Sequence, residues 1–425
     1  MLFNMGQSRQ RQLRPCEARR DFSLCLCLFA FFVLCSLSLF PGVAQRAALN
    51  ATDVSKVSRF PIELNGNHVF LQGRVNGSAP LWFTLDTGAA ASVVSMRRAR
   101  ELGLELKGNS RAQGAGGTVE SSRLSGITFS LPGVEIKNLS VMAIPLDSIE
   151  ATAGRSMDVI IGAELFQRYV VEVDYAAGFI TLYEPQQFNY TGTGESLPLK
   201  FFYNHPYVSG KVSLPGLEPI EGDFVIDAGS GFGITFHPSF VKANKLLERV
   251  PKTIQTKARG VGGEFSLAVG RIDSLELGRF KLNKPVTAFP QTAGFIAKEG
   301  TAGNIGGLIL RHFKVIFDYS RKRMILEPNK NFSDAFDFDM SGLGLISDSP
   351  QFKLVKIQRI MEASPAAEAG LRVDDVILEV DGRAASEYTL HNLREMFKKD
   401  GKQYRLKIKR GDETLQVQLK TRRLI

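Results

Sequence analysis

Cysteine is almost missing from this chain, and the few copies it has are placed where they cannot staple a fold. All four (Cys16, Cys25, Cys27 and Cys35) lie before residue 45. The remainder therefore has no disulfide, no thiolate nucleophile and no thiolate metal site. Histidine is nearly as scarce. His68, His205, His237, His312 and His391 show no metal-ligand spacing and no Ser–His pairing, which argues against a zinc centre and a serine triad; all five are expected to be structural or exposed. Neither of the two glycine-rich turns is followed by Gly-Lys-Ser/Thr, so neither reads as a phosphate cradle. No segment reads as low-complexity or as a long disordered linker. The formal charge is +10, and setting aside residues 1–44 with their five arginines and two acids leaves +7. That excess is spread along the chain with no nucleic-acid fingerprint. The expectation is a chain with no metal, no cofactor and no nucleic-acid partner.

Residues 1–44 have a different character. Arg9, Arg11, Arg14, Arg19 and Arg20 precede an apolar run from Phe22 to Phe40, and Pro41-Gly42-Val43-Ala44 follows. Charged, apolar and small residues in that order form an export signal, with Ala44 as a cleavage point. The run is long for a signal core and slightly short for a membrane span, so a retained inner-membrane anchor is the alternative. Either way the positive flank stays inside and the rest is exported. Export without disulfides points to a bacterial envelope, periplasmic or otherwise extracytoplasmic.

The most informative feature is a repeated phrase. Phe83-Thr84-Leu85-Asp86-Thr87-Gly88-Ala89 and Phe224-Val225-Ile226-Asp227-Ala228-Gly229-Ser230 each run apolar residues into an aspartate and a tight glycine turn. A carboxylate at the end of a buried strand is costly to desolvate and needs a reason to be there. Two such strands face to face would put two carboxylates in one cleft, where they would share a proton. The surroundings repeat as well. Strand-like runs, Phe70–Val75 and Tyr207–Val212, precede the two phrases. Glycine-rich turns follow, Gly114-Ala115-Gly116-Gly117 and Gly260-Val261-Gly262-Gly263. Next come Ile160-Ile161-Gly162 and Ile305-Gly306, then Asp174-Tyr175 and Asp318-Tyr319, each pair 12 residues beyond its glycine, and both halves close on Glu-Pro.

On these motifs residues from about 60 to 330 resemble a single-chain, two-lobed aspartic protease whose lobes are each of the retropepsin type. The resemblance implies a mostly β fold with a pseudo-dimeric cleft, built from lobes of six to seven strands at 52–188 and 189–330. It implies Asp86 and Asp227 as the catalytic dyad, acting within one chain on polypeptide substrates. Thr87, Gly88, Ala228, Gly229 and Ser230 are then supporting residues. Gly114 to Gly117 and Gly260 to Gly263 are flap tips, where glycine lets a hairpin bend over a substrate. One position departs from the family pattern. Thr87 matches a residue whose hydroxyl reaches the opposite lobe, and Ala228 at the equivalent place has none, which removes half of that fastening. Ser230 is expected to compensate by a hydroxyl bond to the Asp227 carboxylate. The alternative reading is an inactive, protease-like scaffold or peptide-binding protein of the envelope, with Ala228 as its best support.

After Glu327-Pro328 the pattern changes. Gly342-Leu343-Gly344-Leu345, Ser364-Pro365-Ala366-Ala367-Glu368-Ala369-Gly370-Leu371 and Asp381-Gly382 precede a helical stretch with apolar residues at Leu390, Leu393, Met396 and Phe397. Two strands joined at Gly411-Asp412 follow. Residues 338–425 closely resemble a PDZ domain. The resemblance implies that Gly342 to Leu345 leave backbone N–H groups free for a peptide's C-terminal carboxylate, with the next strand open to β-augmentation. The stretch between Pro328 and Ser341 reads as a short linker.

Overall fold

The structure is a computed structural model that describes residues 56–291 and 300–425; the proposed leader at 1–44 lies outside the described residues. The fold is mostly β, and the strands of the described residues form four sheets. The first of these joins the two halves. Its order is Lys56–Pro61, Phe179–Tyr183, Val170–Asp174, Phe313–Asp318, Arg323–Pro328, Glu195–Pro198. Each half of the chain supplies three strands, and the pseudo-twofold passes between Val170–Asp174 and Phe313–Asp318, which pair antiparallel with Val173 opposite Val315. The Asp-Tyr repeats close hairpins of this sheet, Asp174 accepting from Ala177 N–H and Asp318 from Arg321 N–H. The phenyl ring of Phe166 meets Phe317 edge-on and stacks on Tyr319 beneath the cleft.

The other two protease sheets hold the aspartates. Rather than six or seven strands each, lobe one has an eight-stranded sheet and lobe two a ten-stranded one. The extra strands arise because every flap and connecting hairpin joins its lobe's sheet edge to edge. In lobe one the aspartate strand Leu81–Leu85 runs parallel to Val159–Ile161, with Leu85 opposite Ile161. In lobe two Ile220–Asp227 runs parallel to Gly303–Gly306, with Ile226 opposite Ile305. Central parallel strands are covered on both faces and so read as unbroken apolar runs, which is why each phrase is apolar up to its aspartate. Phe83 packs edge-on against Phe129, and Phe224 meets Phe236 at a tilt.

The last sheet runs Leu343–Ser347, Val355–Ile360, Val376–Val380, Gln403–Arg410, Glu413–Lys420, with the helix Leu390–Phe397 across it and a core of its own around Ile357, Leu393 and Ile408. The segment that precedes it is not a free linker. Phe332 packs edge-on against Phe280 and Phe313, Phe336 lies on His312, and Arg271 donates to the Phe336 carbonyl. Aromatic residues in that joint bury it against lobe two. No helix among the described residues is long and apolar enough to cross a membrane.

Candidate active site

The two aspartates end their strands at the pseudo-twofold and face one another. Each carboxylate rests on the opposite lobe's glycine. A Cβ on Gly88 would come within 2.7 Å of Asp227 Oδ1, and one on Gly229 would overlap the Asp86 carboxylate. Only glycine admits that approach. Gly88 N–H donates to Asp86 Oδ1 at 2.8 Å. Burial drives both carboxyls above the usual carboxylate range, and for Asp86 the neighbouring Asp227 charge adds to that rise. Two carboxylates in contact in a desolvated cleft hold one proton between them and titrate as a pair.

The Thr87 hydroxyl fastens the two aspartate loops. Thr87 Oγ1 donates to the Ile226 carbonyl at 2.7 Å and accepts from Ala228 N–H at 2.9 Å, all of it buried. Ala228 is fully buried and returns nothing. Ser230 does not act as expected. Its backbone N–H addresses the Asp227 carboxylate, while its hydroxyl receives Phe232 N–H at 3.4 Å. The turn at Gly229 aims the amide rather than the side chain at the aspartate.

The flap tips meet over the dyad. Gly116 N–H donates to the Val261 carbonyl at 2.8 Å. Gly114 closes on Val261, and Ala115 on Gly260, so closely that added side chains would collide; Gly117 and Gly262 are in the same contact. Gly262 and Gly263 have φ of 96° and 141°, and Gly117 130°, which lets the hairpins turn sharply enough to touch. Val261 also packs onto an apolar wall of lobe one that includes Phe70, Trp82 and Ile160.

Three histidines expected to be inert are brought to the dyad. Two-residue turns with positive φ, Gly66-Asn67 and Tyr203-Asn204, project an Asn-His pair from each lobe toward the other lobe's aspartate loop. Asn67 donates to the Gly231 carbonyl at 2.8 Å and Asn204 to the Ala90 carbonyl at 3.2 Å. His68 bonds to the backbone of Gly229 and His205 to that of Gly88; burial lowers both, His68 to about 4. The repeated Asn-His dipeptide was the available signal. A fourth group, Asn304, is absent from every motif above; its Nδ2 donates to Asp227 Oδ2 at 2.8 Å, and His237 lies behind it. Among the described residues no cluster of His, Cys, Asp and Glu gathers to hold a metal ion.

The comparisons with known families agree with this geometry. Residues 71–165 match the family described as aspartyl protease, and residues 356–410 match the family described as PDZ domain. The chain carries an aspartyl protease domain and a PDZ domain. No curated protein matches it significantly. The protease family match covers lobe one; lobe two is joined to it by the internal repeat and the mirrored strand pairing.

In the PDZ domain the expected free amides are already used. Gly342 N–H donates to Asp339 Oδ2 at 2.6 Å and Leu343 N–H to Ser341 Oγ at 3.0 Å. Ser341 and Asp339 cap the loop from within, which the glycine pattern alone could not reveal. Gly344 pairs with Arg359 in the sheet, and Leu345 with Ile357. The open edge of Leu343–Ser347 lies against the lobe-one helix Asp147–Ala153. Arg394, from the PDZ helix, donates to both the Leu345 and the Thr152 carbonyls at 2.8 and 2.6 Å. Ser349 Oγ donates to the buried Glu150 at 2.7 Å, and Leu390 fills the space a Cβ on Gly154 would need. The protease thus covers the edge to which a peptide strand would add.

Proposed function

We propose that this protein is an extracytoplasmic aspartic endopeptidase in which Asp86 and Asp227 activate a water for attack on a peptide carbonyl. The observation that carries the reading is the dyad itself: two carboxylates on mirrored loops, each seated on the other loop's glycine and both raised by burial. The ionised carboxylate takes a proton from water as its oxygen bonds the carbonyl carbon. The protonated carboxyl gives its proton to the carbonyl oxygen. Backbone groups of Gly88, Gly229 and the flap tips hold the substrate extended. Two carboxylates and a water complete the reaction, so no cofactor is called for. Export and an envelope location rest on the arginine-flanked apolar leader, which either is cleaved or anchors the chain in the inner membrane. The PDZ domain recruits polypeptide C-termini in competition with the lobe-one segment that covers its edge strand.

The second reading, an inactive scaffold, is favoured by Ala228, which leaves one loop-fastening hydroxyl where the family pattern has two. Hydrolysis of an unstructured polypeptide by purified residues 45–425, followed over about pH 3–8 where carboxyl dyads work, separates the two. Activity that disappears in Asp86→Asn supports the enzyme; no turnover at any pH in a folded sample supports the scaffold.

A further inference from the structure

The two aspartates end equivalent strands, yet their neighbours differ at one equivalent position. In lobe one Thr84 pairs with Ile160; in lobe two Val225 pairs with Asn304. Both residues lie one strand away from the aspartate, immediately before the Ile-Gly that flanks each catalytic loop. Ile160 offers the Asp86 side nothing polar, while Asn304 donates a hydrogen bond to Asp227 Oδ2.

A side-chain amide can donate in either of two orientations, so one that must donate needs its oxygen fixed. The next strand supplies the means. Asn304 pairs with Thr235 there, and His237 follows two residues later, its side chain in contact with that of Asn304. The other ring nitrogen of His237, Nδ1, lies 2.9 Å from Thr301 Oγ1 and 3.2 Å from the Thr301 carbonyl. His237 and Thr301 are buried, 1% and 5% exposed, and Asn304 is half-buried. In lobe one the residue in His237's place is Ser95. Ser95 ends its short strand and His237 directly follows its own, both are the N-cap of the next helix, and their N–H groups donate to the carbonyls of Asp158 and Ala302, the residues just before the flanking strands. A serine is too short to reach across that strand.

We infer that Thr301, His237 and Asn304 form a positioning relay that makes Asp227 the ionised member of the dyad and leaves the proton on Asp86. In this arrangement Thr301 Oγ1 donates to His237 Nδ1, which leaves the ring proton on Nε2 beside the Asn304 side chain, where it favours the orientation with Oδ1 toward the ring and Nδ2–H donating to Asp227. Each donor is used once, and the chain ends on an acceptor that must be anionic to receive it well. The amides of Gly229 and Ser230 converge on the same carboxylate as those of Gly88 and Ala89 do on Asp86, so the donor that differs between the two sides is Asn304. Asp86, beside Ile160, is left to donate its proton across the dyad.

The inference rests on the protease reading and fixes the direction of its first step. Water loses a proton to Asp227 as its oxygen bonds the carbonyl carbon, and Asp86 gives its proton to the carbonyl oxygen. As the tetrahedral diol collapses, the proton on Asp227 passes to the leaving nitrogen and a diol hydroxyl returns its proton to Asp86, restoring the starting state. The other titratable groups near the pair are His68 at Gly229, His205 at Gly88, His237 behind Asn304 and Tyr319 below Asp86. Burial lowers the three histidines and raises the phenol, which favours the neutral form of each.

The test uses the full chain. In Asn304→Leu the acidic limb of the kcat/KM–pH profile should move up by about one unit or more, because the anion has lost a donor. His237→Phe should move it in the same direction by less, and His237→Gln, which keeps a donor, should restore it. A general packing defect would instead lower the rate at every pH. To separate this inference from the protease reading, Asp227 is also titrated by carboxyl ¹³C NMR in the Asp86→Asn background, where no turnover is needed. An upward shift on adding Asn304→Leu supports the relay even if no substrate is found. An unchanged titration, or an unchanged acidic limb in a folded and active Asn304→Leu protein, overturns it.

Discussion

Lobe one and lobe two share strand order, flap, flanking Ile-Gly and closing hairpin, yet the surroundings of their aspartates have diverged. Lobe one has the only loop-fastening hydroxyl, Thr87, and an apolar neighbour, Ile160; lobe two has Ala228 and the polar neighbour Asn304. A symmetric pair of lobes must give both aspartates one environment. A fused pair is free to put the mechanical tie on one side and the polar support on the other. The glycines that seat the carboxylates kept their identity across the repeat, while Thr87 and Ala228, and Ile160 and Asn304, did not.

The largest effect tests whether the lobes depend on each other. Asp86→Asn and Asp227→Asn should each lower turnover by a factor on the order of 10³ or more, since neither half retains both a proton donor and an acceptor. Wild-type activity per molecule should stay constant on dilution, because one chain supplies both aspartates; a steep loss rescued by concentration would mean that the site forms between chains. Asp86→Asn also has a sign that activity does not show. The Asp86 carboxyl is raised by burial, so the folded state binds its proton more tightly than the unfolded chain does. That contribution to stability is present below the unfolded value and is lost as pH rises toward the folded one. The amide should therefore stabilise the protein near neutral pH, by at least about 1 kcal/mol, and not at low pH. Melting temperatures at the two pH values measure it.

The same contrast explains what could be read in advance. Asp86, Asp227, the flap glycines and the missing hydroxyl of Ala228 were legible because the two halves agree closely enough to be aligned by eye. Asn304 was hidden because it sits where the repeat disagrees; the mismatch with Ile160 inside an otherwise matched motif was itself the clue. His68 and His205 precede their aspartates by different spacings, since the hairpins between them differ in length, so their Asn-His likeness was masked. The docking of the PDZ domain was not legible at all. Arg394 meets Thr152 and Ser349 meets Glu150 across some two hundred residues of chain, contacts that no local pattern encodes.

The flaps carry the pseudo-symmetry to the top of the cleft. A Cβ on Gly116 would run into the backbone of Gly263, which cannot move aside as a flexible side chain could. Gly116→Val should hold the tips apart and lower kcat/KM by about 10- to 100-fold, given the weight of well-positioned closing groups. If it leaves peptide hydrolysis unchanged, tip contact has no part in closure. A smaller effect is expected where lobe one alone meets the PDZ domain. Arg394→Ala removes the bonds to Leu345 and Thr152, so binding of a short peptide with a free apolar C-terminus should tighten several-fold, about 1 kcal/mol of competition relieved. Fluorescence anisotropy on the full chain measures this. Equal affinity in both proteins would mean that the lobe-one segment does not compete.

The smallest expected change restores the lost symmetry. Thr87 already spans the loops in one direction, donating to Ile226 and accepting from Ala228. A hydroxyl at residue 228 would supply the mirror pair, donating to the backbone before Asp86 and accepting from Thr87 N–H. Ala228→Thr should then raise stability by about one buried hydrogen bond, roughly 0.5–1.5 kcal/mol, and a melting curve can resolve that. The gain has an opposing term, because Ala228 is fully buried and two further heavy atoms must find room between the loops. Overpacking of that kind costs about 1–3 kcal/mol when the neighbours cannot shift. A stabilised variant with undiminished turnover would show that the second tie was lost without rebuilding the site. A destabilised one would show that lobe two has closed around alanine, and that the asymmetry of the dyad is now part of the packing.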